Sequence, residues 1–155
     1  MRSNFHSWIS ELREHEGFKS NDPDDAGGLT VFGISKAFHP EIFKNGPPSW
    51  EQAEAFYLAL WIRNGCDALE FPMDVIHADA CVNPGEGAAK RFRMQSGEHN
   101  DITRRGVEYC VLRLRYYQAR VRENPVKLKY IVGWMDRTLD YLERTIINLW
   151  DMEVL

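Results

Sequence analysis

Apolar residues near the start of the chain fall at Phe5, Trp8, Ile9 and Leu12, the i, i+3, i+4, i+7 spacing of a helix with one buried face. Ser3 or Asn4 can cap this helix, and Gly17 stops it after Glu16. The pattern then changes to an acidic, turn-rich stretch, SNDPDDAGG, followed by the β-branched and aromatic run LTVFGIS, which predicts a small β-hairpin or ribbon. After Pro47-Pro48, Ser49-Trp50-Glu51-Gln52 reads as a capping box opening a helix with Ala53, Phe56, Tyr57, Leu60 and Trp61 on its buried face. Pro72 can begin a further helix through Val75, Ile76 and Ala80, broken by Pro84-Gly85 and followed by a short helix from Glu86 to Gln95. Asp101 caps a long helix whose stripe is Val107, Cys110, Val111, Leu114, Tyr117 and Val121, ended by Asn124-Pro125. A last helix carries Met135, Leu139, Leu142, Ile146 and Leu149 at alternating spacings of four and three, one apolar seam. The pattern predicts a mostly α (α+β) domain, a helical body with one small β element inserted after the first helix.

Glu16 stands out on physical grounds. It lies where the buried stripe of the first helix runs out, at the helix C-terminus and just before a glycine. Partial desolvation and the negative end of the helix dipole both disfavour the ionised form there, the condition a general acid needs near neutral pH. The competing reading is an ordinary surface carboxylate at a helix end. Asp22, Asp24 and Asp25 follow within nine residues, and Gly27-Gly28 lets the backbone turn before Thr30. Two carboxyl groups flanking a scissile bond are the usual equipment of a glycosidase. A calcium loop also uses alternate aspartates, but this segment lacks the twelfth-position glutamate of an EF-hand. A solvated acidic turn is the third reading.

Composition narrows the classes further. The 155 residues are 44% hydrophobic and 27% charged, as in one globular domain, which excludes wholesale disorder. Residues 1–80 carry 6 basic and 13 acidic side chains and residues 81–155 carry 13 and 10, so the halves are −7 and +3. Arg104, Arg105, Arg113, Arg115, Arg120, Arg122, Lys127 and Lys129 form a cationic run suited to wall carboxylates or envelope phosphates, unless it is simply a solvated helix face. Nucleic acid is disfavoured by the net charge of −4 and the absence of a DNA-binding motif. No stretch nears the ~20 apolar residues of a membrane span, and the first residues lack the apolar region of an export signal. Cys66, Cys81 and Cys110 are odd in number and widely spaced, and read as reduced, buried thiols. The five histidines show no metal-ligand spacing, so neither a metal nor another cofactor is expected.

Glu16-Gly17, Asn21-Asp22-Pro23-Asp24-Asp25, Gly27-Gly28, Thr30 and Gly33-Ile34 resemble, at matching spacing, the E-G-G-Y-x-N-D-P-x-D-x-G-G-x-T-x-Y-G-I-T signature of glycoside hydrolase family 108. That family comprises N-acetylmuramidases, many of them bacteriophage endolysins. Phe18, Phe32 and Ser35 depart from it; a bulky Phe18 would alter the approach to a cleft. Asp79-Ala80-Cys81-Val82-Asn83 with Gly85 resembles the family's F-D-x-x-V-N-x-G helix. Arg115-Tyr116-Tyr117 and Gly133-Trp134-Met135-Asp136-Arg137 resemble its C-terminal part, often described as a predicted peptidoglycan-binding region.

The resemblance implies a lysozyme-like fold in a single domain, residues 1–155, with a catalytic portion at 1–87 and a helical portion at 88–155. It implies hydrolysis of the β-1,4 bond between N-acetylmuramic acid and N-acetylglucosamine, with Glu16 as general acid. Asp25 and Thr30 are the candidates for holding the attacking water, and Asp22 is the competing carboxylate, unless it is a turn former before Pro23. Asp79 and Asn83 share a helix face and are candidates for binding substrate, Asn83 either bonding a sugar acetamido group or capping the helix end. Trp134 and Tyr117 either stack on sugar rings or belong to the core. A lytic transglycosylase and a non-catalytic wall-binding or virion protein are the other classes kept open. The partner expected is the peptidoglycan glycan strand, met by a monomer with no stable membrane insertion. Its expected place is the cytoplasm of an infected bacterium, from which it reaches the wall after membrane permeabilisation.

Overall fold

In the computed structural model, residues 2–16, 19–21, 28–97 and 100–153 are described. The chain divides into two compact units, Met1–Asp67 and Ala68–Leu155. The first unit contains α1 (Arg2–Glu16), β1 (Lys19–Asn21), β2 (Leu29–Val31), β3 (Ile34–Ser35) and α2 (Trp50–Arg63). The second contains α3 (Met73–Ala80), α4 (Glu86–Gln95), α5 (Ile102–Glu123) and α6 (Ile131–Glu153). The mostly helical α+β class is therefore observed, with the β element after the first helix.

Local sequence explains the first unit well. Phe5, Trp8, Ile9 and Leu12 of α1 are all buried, as their spacing requires. The α2 capping box forms: the Ser49 hydroxyl accepts from the Gln52 N–H at 3.4 Å, and the Gln52 side chain accepts from the Ser49 N–H at 2.8 Å. Ala53, Tyr57, Leu60 and Trp61 bury the opposite face. Trp8 meets Tyr57 edge-on at 6.1 Å and Trp61 at 5.6 Å, so the two helices share an aromatic core. The strands form one antiparallel sheet in the order β1-β2-β3, with Ser20 opposite Thr30 and Thr30 opposite Ser35.

The second unit departs from its sequence pattern. Asp101 caps α5 through bonds from the N–H groups of Thr103 and Arg104, and Asn83 leaves helical geometry (φ −114°, ψ 60°) ahead of Pro84, both as expected. On α5 the buried face is Gly106, Tyr109, Cys110, Arg113 and Tyr117, so Cys110 and Tyr117 of the expected stripe are buried, while Val107, Leu114 and Val121 are half-buried and Val111 is exposed. Among the α6 side chains described, Arg137, Thr138, Tyr141 and Thr145 are buried, while Met135, Leu139 and Ile146 of the expected seam face solvent; Leu149 of that seam lies outside them. The cause is Asp79, 1% exposed, whose carboxylate pairs with Arg113 at 2.7 Å and with Arg137 at 2.5 Å. A buried carboxylate needs compensating charge, and α5 and α6 each supply it by turning one arginine inward. Cys66, Cys81 and Cys110 are buried and form no disulfide with one another. No described helix is long and apolar enough to cross a membrane.

Candidate active site

Glu16 is the last residue of α1 and is half-buried. Its side chain lies against the turn joining β2 to β3. That turn has two residues, Phe32 (φ +49°) and Gly33 (φ +78°), with both φ values positive as in the type I′ turns that suit the twist of a hairpin. A methyl group built on Gly33 would meet the Tyr57 hydroxyl oxygen at 2.6 Å and both Cγ and Cδ of Glu16 at 2.8 Å. Glycine is therefore required twice here, by the backbone conformation and by the space the carboxylate occupies.

Tyr57 holds the turn in place. From the buried face of α2 it donates a hydrogen bond to the Phe32 carbonyl at 2.6 Å. Phe32, a bulky residue in a left-handed conformation, is also held by an edge contact with Trp50 at 5.3 Å. The Arg13 guanidinium lies over the same Trp50 ring, 4.8 Å from its centroid. Two helices and a hairpin thus fix the backbone beside the Glu16 carboxylate. Thr30 sits on β2, half-buried, and its hydroxyl donates to the Gly28 carbonyl at 3.3 Å. Asp22 and Asp25 lie outside the described residues.

The candidates in the second unit have different surroundings. The sequence reading turned Asp79 toward a sugar; instead, Arg113 and Arg137 take its carboxylate oxygens in the interior. Burial alone would raise its pKa, but the two guanidinium groups hold it below the ordinary carboxylate value. Arg113, read as part of a surface cationic run, is wholly buried and donates from Nε to the Tyr117 hydroxyl at 2.8 Å. Asn83 is half-buried at the break after α3, and its carbonyl accepts from Tyr117 at 3.4 Å. Trp134 is half-buried and stacked between Tyr117 at 4.9 Å and Tyr130 at 5.8 Å. Tyr117 itself is core. Among the described residues no three His, Cys, Asp or Glu side chains are grouped so as to hold a metal ion.

Sequence reading missed the part Tyr57 and Gly33 play beside Glu16. Tyr57 has ordinary core spacing, and only the hydroxyl, in a face otherwise made of Ala, Leu and Trp, hinted at a polar task.

A small sheet following the first helix of a mostly helical α+β chain fits a lysozyme-like fold. Residues 9–85 match the Glycosyl hydrolase 108 family, a family of glycoside hydrolases. Among solved structures it is similar to Brucella abortus SagA, with a TM-score of 0.76 and 19% identity over 95% of this chain and 96% of that one. No curated protein matches it. The matched segment contains Glu16, Thr30, Gly33, Tyr57, Asp79 and Asn83 and ends before Trp134.

Proposed function

We propose that this glycoside hydrolase is an N-acetylmuramidase acting on peptidoglycan, cutting the β-1,4 bond between N-acetylmuramic acid and N-acetylglucosamine. The observation that carries the reading is the placement of Glu16, within the family-matched segment, against a glycine that leaves room for its carboxyl group. Glu16 donates its proton to the leaving glycosidic oxygen as the C1–O bond breaks and positive charge develops on the sugar. Water adds to C1 and gives up a proton, leaving a new reducing end. Asp25 and Thr30 hold that water in this reading, and Asp22 is the competing carboxylate. Resemblance to endolysins supports a role in host lysis, the enzyme waiting in the cytoplasm of an infected bacterium until the membrane is opened.

Mass spectrometry of digested peptidoglycan tests the reaction. Hydrolysis leaves reducing ends; a product one water lighter, with a 1,6-anhydro end, replaces the hydrolase by a lytic transglycosylase. Glu16→Gln is expected to lower turnover by about 10²–10⁴-fold, the usual worth of a positioned acid. Wild-type clearing of permeabilised cells by that variant refutes the assignment of Glu16 as the acid.

A further inference from the structure

The α5–α6 hairpin carries exposed apolar side chains along one face. On α6, Val132 is 65% exposed, Met135 42%, Leu139 37% and Ile146 39%, with Leu142 half-buried between the last two. Positions 132, 135, 139, 142 and 146 follow the 3-4-3-4 spacing of heptad a and d residues, and at about 100° per residue they lie within a stripe roughly 80° wide. On α5, exposed Val111 and half-buried Val107, Leu114 and Val121 follow the same rule at 107, 111, 114 and 121.

The two stripes belong to one face. Gly106 approaches Thr145, and Tyr117 stacks on Trp134, so these residues mark where the helices touch. On each helix the apolar stripe comes next around the cylinder from that contact, away from Asp79. Beyond the α5 stripe the exposed edge is basic, with Arg104, Arg115 and Arg122; Arg104 also pairs with Glu108 on that edge at 3.0 Å. Beyond the α6 stripe the exposed edge is acidic, with Asp136, Asp140 and Glu143.

An apolar centre between one basic and one acidic edge is complementary to itself. We propose that this face binds a second copy of the chain, the two hairpins forming a four-helix bundle in which α5 of each copy lies on α6 of the other. A two-fold axis parallel to the helices achieves this: it sets each basic edge over an acidic one and makes the facing helices antiparallel. A two-fold axis across the helices would lay acidic edge on acidic edge. An anionic lipid surface suits the face less, since a narrow a/d seam with one acidic edge lacks the broad apolar, basic-flanked form of interfacial helices.

Light scattering on the eluting full chain, from low micromolar concentration to about 100 µM, is expected to give twice 18.1 kDa. Leu139→Lys, at an exposed position that should not disturb folding, is expected to raise the dissociation constant at least about tenfold. Arg115→Glu with Arg122→Glu, and Asp136→Lys with Asp140→Lys, should each weaken the dimer, and the four changes together should restore it. A mass of 18.1 kDa throughout overturns the proposal, as does a Leu139→Lys variant that dimerises like wild type. Monomeric protein sedimenting with phosphatidylglycerol vesicles also overturns it and assigns the face to lipid.

Discussion

Replacing Gly33 by alanine tests the site where its geometry is tightest. An L-residue at φ +78° pays about 1–2 kcal/mol for the left-handed conformation. The added methyl meets Tyr57 at 2.6 Å and Glu16 at 2.8 Å, so both must retreat by about 0.6–0.8 Å to reach ordinary contact, an overpacking cost of about 1–3 kcal/mol. Lower entropy of the unfolded chain offsets about 0.4–1 kcal/mol. The net loss is about 2–4 kcal/mol, or about 5–15 °C in Tm for a chain of this size. Since a 1 Å misplacement of a catalytic group can cost about 10²-fold, release of soluble sugar from purified peptidoglycan should fall about 10–100-fold, measured well below the variant's Tm. Gly46→Ala is the control: its φ is +106° but a methyl there meets nothing within 4 Å, so it carries conformational strain without displacing a site group. Its activity should match wild type. A folded Gly33→Ala variant working within twofold of wild type would refute the view that this turn sets the position of the reacting carboxyl group.

Tyr57→Phe removes the donor to the Phe32 carbonyl and should cost about 1–3 kcal/mol in urea unfolding, with lower turnover because the turn beside Glu16 loosens; unchanged stability and rate would contradict this. Asp79→Ala leaves two buried guanidinium groups uncompensated and should cost about 3–5 kcal/mol, while folded protein keeps wild-type KM; a raised KM at unchanged stability would restore Asp79 as a sugar ligand. His77 is buried, bonded through Nδ1 to the Tyr109 hydroxyl at 2.8 Å, and its pKa is lowered from 6.5 to about 4 by burial first and then by repulsion from Arg93 and Lys90. Between those values the unfolded chain binds the proton that the folded chain refuses. Its contribution is therefore complete above pH 6.5 and lost as pH falls to about 4, about 3 kcal/mol in all. Denaturant titrations across that range should show the loss, reduced in His77→Gln; equal slopes in both proteins would count against it.

Residues 1–67 show how far local pattern reaches. Helix faces, the α2 capping box and the position of the β element follow from spacing and turn residues alone, because each depends on neighbours a few positions apart. Glu16 was legible in the same way, as a carboxylate at a helix end before a glycine and within a recognisable motif. What stood beside it was not, since Gly33 and Tyr57 reach it only through the fold. The second unit marks the limit. Apolar periodicity assigned Val107, Val111, Leu114, Met135, Leu139 and Ile146 to helical faces but did not say which way those faces turn. That was decided by one buried carboxylate, Asp79, whose partners Arg113 and Arg137 lie 34 and 58 positions further along the chain. The cost of an uncompensated charge in the interior exceeds the gain from burying a few aliphatic side chains, so electrostatics over long sequence separation overrode the hydrophobic pattern of the helices that supply it.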